Sequence, residues 1–266
     1  MKIIKSYLEY TDQKTNVFYF IPPVDVELKA TLTILTHGYT SDKSSILNWA
    51  IRLAEVGAPV ALFDLPGHFL GNFSEVHSFE HFRDHAHELF ESAYDGLINS
   101  LRQEMPLCEH ILEEGAHRLV LGGHSLGSML ALHAAALSRF ESIEKRIIGV
   151  GLGMPPKDVV HLFDTPFYKA TMKVREQLVS EALGPLNVFP WIKEAKENIT
   201  LSNQDIHLIS GVDDLVVGDE GVERFAKRLE ENNNRVTIEM PSKLPHHEPQ
   251  LAASYIKKYL KKISWI

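Results

Sequence analysis

Apolar residues along this chain alternate between two rhythms. Short, nearly unbroken apolar runs occur at 30–38 (ATLTILTHG), 59–64 (PVALFD), 117–125 (HRLVLGGHS), 146–153 (RIIGVGLG) and 204–211 (QDIHLISG). Strands covered on both faces read this way, because neither side needs polar residues. Helical spacing fills the gaps: Ile46, Leu47, Ala50, Ile51 and Ala54 within 43–56, then Phe82, Leu89, Phe90, Ala93, Leu97 and Leu101 within 78–105. Further helices are predicted over 126–139, 221–231 and 251–263. Two runs rich in β-branched and aromatic residues, 3–10 and 17–21, come first, and Pro22-Pro23 closes the second. RVTIEM (235–240) supplies a last strand. This order predicts an α/β fold in one domain spanning 1–266: an open, mostly parallel sheet of about eight strands with helices on both faces.

One stretch breaks the alternation. Residues 154–200 hold no strand-like run and contain Pro155, Pro156, Pro166, Pro185 and Pro190 between short helical pieces such as 168–182. An excursion this long between two strands is expected to be a small helical cap. Its apolar residues include Met154, Leu162, Phe163, Phe167, Tyr168 and Trp191, more than a solvated loop carries. Phe167 and Trp191 are therefore the candidate substrate-binding residues of the cap.

Composition narrows the setting. The 266 residues are 44% apolar and 23% charged, as in an ordinary globular domain. A formal net charge of −8 argues against nucleic acid as the main partner and against anionic membrane surfaces. A single cysteine, Cys108, rules out a disulfide within the chain and fits a reducing, cytoplasmic compartment. The N-terminus turns polar too soon for a signal-peptide core. Residues 119–138 lack Asp, Glu, Lys and Arg, as a membrane span would, but Gly122, Gly123, Gly127, two histidines and three serines fit a buried strand, turn and helix better.

The strongest chemical signal lies inside that window. Gly123-His124-Ser125-Leu126-Gly127 matches G-x-S-x-G, with an apolar strand running in and an apolar helix running out. Attack on an acyl carbonyl needs an exposed hydroxyl beside a base, and a sharp strand-to-helix turn supplies the exposure. Glycines on either side let strand and helix approach closely. With this motif go His37-Gly38 after the third strand, DLPGHFLGN (64–72), SGVDDLVV (210–217) after a late strand, and PHHEP (245–249) before the last helix.

Together these motifs resemble the α/β-hydrolase superfamily over nearly the whole chain. The resemblance implies a serine esterase or lipase-like enzyme working through an acyl-enzyme, with Ser125 as nucleophile. It implies an oxyanion hole from the backbone N–H groups of Tyr39 and Leu126, the second at a helix N-terminus. The superfamily's order of Ser, then acid, then His makes Asp214 the expected acid, with Asp213 beside it and Asp158 after an earlier strand as alternatives. It places the base in PHHEP, where His246 and His247 both stand. Read as an extended approach to a helix starting at Pro249, this segment points the two histidines to opposite sides. The H-E-P match then selects His247. Phe69 departs from the family's usual glycine in the 64–72 loop. No cofactor is implied, and the expected partner is a small acyl substrate: a carboxylic ester first, then a thioester or small amide. A lyase or acyltransferase, or a binding protein on the same scaffold, are the competing readings.

Other clusters carry less. His77, His81 and His85 recur at i, i+4, with Asp84 and His87 nearby, but H-F-R-D-H is not the zinc pattern H-E-x-x-H, so a solvated helix face is expected. Cys108 has no activating context. Lys257, Lys258, Lys261 and Lys262 face away from Ile256, Tyr259, Leu260 and Ile263, as in a terminal helix docked on the sheet with its lysines in water.

Overall fold

The computed structural model describes residues 1–113, 116–157, 164–218 and 220–266. Eight strands, counted among the described residues, form one sheet in the order β1-β2-β4-β3-β5-β6-β7-β8. They are β1 (Lys2–Tyr10), β2 (Gln13–Ile21), β3 (Thr31–Thr36), β4 (Val60–Phe63), β5 (Arg118–His124), β6 (Lys145–Val150), β7 (Asp205–Ile209) and β8 (Arg235–Glu239). β2 pairs antiparallel with both β1 and β4, and every other pairing is parallel. The sheet is thus mixed: a meander at one edge continues into a parallel body.

Side-chain alternation in the strands sorts the core into two layers. Ala61 and Phe63 of β4 face one side with Leu32 and Ile34 of β3, while Val60 and Leu62 face the other with Leu35. The first layer packs under α3 (Leu89–Glu104), α5 (Leu126–Ala134) and α8 (Gly221–Glu230), through Phe90, Leu97, Met129 and Phe225. The second packs under α1 (Leu47–Ala54) and α9 (Ala253–Lys262), through Trp49, Leu53, Ile256 and Leu260. Sequence patterns placed these helices; α1 and α9 are each preceded by a 3₁₀ turn within or beside the expected range, and two others differ more in extent. The helix expected over 78–105 is α2 (Phe79–His85) and α3 joined by a 3₁₀ turn over Ala86–Glu88. That turn leaves helical dihedrals at His85 (φ −128°, ψ −13°). The helix expected over 126–139 ends at Ala134, after which Leu137 is extended and a 3₁₀ turn follows. Between α3 and β5 lies the short α4 (Glu109–Leu112). No described helix is long and apolar enough to cross a membrane.

The β6–β7 excursion carries α6 (Pro166–Arg175) and α7 (Pro185–Glu197). Thr165 caps α6 by accepting from the Tyr168 amide, with Pro166 at the first helical position. Asp158, Leu162 and Phe163, singled out from the sequence, lie outside the described residues. The excursion is fastened to the loop after β4. Phe69 donates its amide to the Leu178 carbonyl, Ser180 donates to the Gly67 carbonyl, and the Ser180 hydroxyl accepts from the Val76 amide. Phe69, where the superfamily favours glycine, thus lies in a segment stitched to the excursion.

Candidate active site

The six strands of the parallel body, β3 to β8, end on one edge, where ligands of open α/β sheets bind. Ser125 sits there at the junction of β5 and α5, with φ +50° and ψ −110°. A non-glycine residue rarely adopts positive φ, and the surroundings must hold it there. The Ser125 amide donates to the Val150 carbonyl at 2.8 Å. Buried Ser128, one turn into α5, donates to the Gly123 carbonyl at 2.6 Å and accepts from the Val150 amide at 3.0 Å. The flanking glycines are required by space: a Cβ on Gly123 would lie 2.5 Å from the Gly127 carbonyl carbon, and one on Gly127 would lie 2.5 Å from the His37 carbonyl oxygen.

Asp214 follows β7 and is 3% exposed. One carboxylate oxygen accepts from the Val216 and Val217 amides at 2.9 and 3.0 Å. The other meets Ser210 Oγ at 3.3 Å and His246 Nδ1 at 2.9 Å. Burial alone would raise the Asp214 pKa, but the hydrogen bond and charge of His246, with the two amides, bring it below the ordinary value. Its carboxylate can only accept, so His246 donates through Nδ1, which in the neutral tautomer leaves Nε2 as the acceptor. Adjacent Asp213 plays a different part, accepting from the Leu244 amide at 2.8 Å and so tethering the histidine loop.

Asp214 therefore pairs with His246, where His247 was expected. The reason is local backbone. The Glu248 amide donates to the Pro245 carbonyl at 2.9 Å, closing a turn with both histidines at its centre. In a turn the strict side-to-side alternation of an extended segment does not hold, so both can face the same space. Their rings stand 5.7 Å apart and perpendicular. His247 is more exposed, and its pKa is lowered, first by partial burial and then by the charges of His246 and Arg175. The helical segment does begin at Pro249, as a 3₁₀ turn leading into α9.

The turn after β3 is held by a histidine that sequence reasoning left unassigned. The Leu65 amide donates to His37 Nε2 at 2.9 Å, so His37 Nδ1 bears the proton and donates to the Gly38 carbonyl at 2.8 Å. Burial lowers the His37 pKa to about 4, keeping the ring neutral. Two residues beyond Gly38, Thr40 has φ +54°, a costly conformation for a β-branched residue. Tyr39 lies between them, and its hydroxyl donates to the Leu183 carbonyl at 2.8 Å, joining this turn to the excursion. Leu126 is the first residue of α5 and is fully buried.

Ser125, His246 and His247 line one cavity of about 340 Å³ with Tyr39, Thr40, Ser41 and Ser45. The excursion contributes Tyr168, Arg175 and Phe189 to its wall. Neither Phe167 nor Trp191 lines it. Phe167 is 76% exposed. Trp191 is buried against the rings of Phe79 and Phe82, holding the excursion to α2. Arg175 carried no motif, and apolar content alone could not separate Phe189 from its neighbours. His81 and His85 lie side by side on α2 with centroids 4.5 Å apart and rings tilted by 33°, and no group of three or more potential metal ligands occurs among the described residues. Cys108 is buried, and burial pushes its thiol pKa up.

Comparison with known proteins bears on the scaffold. The model of the alpha/beta hydrolase family matches residues 33–241, and the chain belongs to this family. No curated protein matches it. Among solved structures it is similar to XC6422 from Xanthomonas campestris, described as an α/β serine hydrolase without a lid, at TM-score 0.56 and 14% identity, covering 98% of this chain and 94% of that one. A soluble variant of monoglyceride lipase from Saccharomyces cerevisiae gives TM-score 0.58 and 14% identity, covering 97% and 94%. The Pyrococcus furiosus esterase Pf2001 gives 0.58 and 17%, covering 98% and 92%. At these identities the likeness is one of fold.

Proposed function

We propose that this protein is a serine hydrolase of carboxylic esters or closely related acyl compounds. One arrangement carries the reading: Ser125, strained at a strand-to-helix turn, shares a small cavity with a histidine oriented by a buried carboxylate. In the proposed reaction Ser125 Oγ attacks the acyl carbon while His246 Nε2 takes its proton. Asp214, ionised and bonded to Nδ1, stabilises the imidazolium that forms. The backbone N–H groups of Tyr39 and Leu126 receive the carbonyl oxygen as it becomes negative, and the N-terminus of α5 adds its dipole. His246 then protonates the leaving alcohol, leaving Ser125 acylated. Water, deprotonated by the same nitrogen, attacks the acyl-enzyme and releases acid and free serine.

In this reading the β6–β7 excursion, residues 154–200, caps the site and shapes the substrate through Tyr168, Arg175 and Phe189. The partner is a small acyl molecule; thioesters and small amides remain within reach of the same chemistry. The test is labelling by a fluorophosphonate probe, mapped by peptide mass, with turnover of short p-nitrophenyl esters. Label on Ser125, with label and turnover both lost in folded Ser125→Ala, is expected. Turnover retained in Ser125→Ala overturns the assignment, and labelling without turnover of any ester favours a binding protein on this fold.

A further inference from the structure

Resting on the hydrolase reading above, we infer that the substrate carries an anionic group, a carboxylate or phosphate, which Arg175 receives beside the reacting centre. Arg175 is the last residue of α6, and its side chain reaches the wall of the cavity that holds Ser125. One N–H of the guanidinium donates to Thr40 Oγ1 at 2.8 Å. Thr40 follows Tyr39, so this contact sets the cation on the side where the proposed oxyanion donor lies.

Partner and place together set this arginine apart, since Arg52 and Arg224 also lack a carboxylate partner among the described residues but do not line the cavity of Ser125. Arg102, Arg118, Arg139, Arg146 and Arg235 each meet a carboxylate. Arg175 meets none among the described residues and donates to a neutral hydroxyl instead. A guanidinium has five N–H donors in a planar fork, and a bond to one hydroxyl uses one of them. The guanidinium carbon stands 5.5 Å from the Tyr168 ring centroid, and the residue is partly buried with no carboxylate partner among the described residues. Glu176, the next residue, is exposed and does not line the cavity. Ser41 and Ser45 line the same cavity, the Ser45 hydroxyl donating to the Asp42 carbonyl. An arginine held by a hydroxyl and turned to a cavity is the chemistry of carboxylate and phosphate recognition. In a chain with a formal net charge of −8, the general field does not attract anions, so selection has to be local.

Arg175 and Ser125 line one cavity of about 340 Å³, so the anion and the scissile carbonyl share it. It can sit on the acyl side or the alcohol side, and two ester pairs separate these. Mono-p-nitrophenyl adipate is compared with p-nitrophenyl hexanoate, and 3-carboxy-4-nitrophenyl acetate with p-nitrophenyl acetate, after subtraction of spontaneous hydrolysis. Wild type is expected to favour the anionic member of at least one pair by about tenfold or more in kcat/KM, the effect of one charge-assisted hydrogen bond. Arg175→Gln should erase that preference, lowering kcat/KM for the anionic member of the pair about tenfold more than for its neutral partner; Arg175→Lys should keep part of it. A guanidinium serving only to brace Thr40 would, on removal, slow both members of a pair alike. Equal loss, no preference in wild type, or a preference that survives Arg175→Gln overturns the inference. Neutral-ester turnover and fluorophosphonate labelling report on the hydrolase reading separately. If both are absent in wild type, that reading has failed and this one with it; if both persist without anion preference, only this one has failed.

Discussion

Replacing Asp64 by asparagine should destabilise the protein by about 3 kcal/mol, and adding Lys43→Met should restore most of the loss. Asp64 follows β4, is fully buried, and accepts both the backbone amide of Lys43 at 2.7 Å and its ammonium group. The Lys43 side chain is 11% exposed. Removing one partner of a buried pair strands the other charge and costs about 3–5 kcal/mol. The lower end applies here, because the ammonium keeps a contact with the Phe18 ring at 4.6 Å and some access to water. The pair itself contributes little net stability. Burial raises the Asp64 pKa in spite of the opposing pull from Lys43, and the attraction within a buried pair is generally offset by its desolvation. With both charges gone, an asparagine oxygen can still accept the amide at position 43, so the double variant should lie within about 1 kcal/mol of wild type. Urea unfolding at pH 7, followed by tryptophan fluorescence and circular dichroism, gives the cycle. A loss below about 1 kcal/mol for Asp64→Asn, or a double variant less stable than the single one, would refute the reasoning.

Two further outcomes follow from buried polar groups. Ser128→Ala leaves the Val150 amide without the hydroxyl it donates to, so it should lose about 1–3 kcal/mol in urea unfolding; an unchanged midpoint would count against this role. His37 and His207 have pKa values lowered to about 4, and His68 to about 3, chiefly by burial. The unfolded chain takes up these protons near pH 6.5 and the folded one does not, so stability falls as pH drops from about 6.5 toward 4. Each histidine costs about 2 kcal/mol at pH 5, and Tm should fall by at least about 10 °C between pH 7 and pH 5. A level Tm would contradict the neutral burial of these rings.

The scaffold is legible in the sequence because the features that define it are local and repeated. A both-faces-buried strand is a continuous apolar run, and β3, β4 and β5 read that way from their residues alone. Ser125 is legible for the same reason, since the glycines that its turn needs stand within two residues of it. Tertiary choices are less visible. The break between α2 and α3 hides in the pattern, because a 3₁₀ turn over Ala86–Glu88 leaves the apolar spacing almost unchanged. His246 and His247 differ by which one a turn presents to Asp214, and an extended backbone would not present them that way. In the excursion, apolar content shows that a core exists but not which side chains face it. Trp191 goes to Phe79 and Phe82, Phe167 to solvent, and Phe189 to the cavity. A charged residue such as Arg175 reads as solvated surface until the fold puts it beside Thr40.

The most direct test of the central claim compares His246→Gln with His247→Gln, each confirmed as folded by circular dichroism and assayed for kcat on the same short p-nitrophenyl ester. Only His246 is held by Asp214, so His246→Gln should lose kcat by about a thousandfold or more. His247→Gln, which removes a cavity-lining ring without touching the His246–Asp214 pair, should keep kcat within about tenfold of wild type. A His246→Gln enzyme that retains most of its turnover while His247→Gln is inactive would contradict the account.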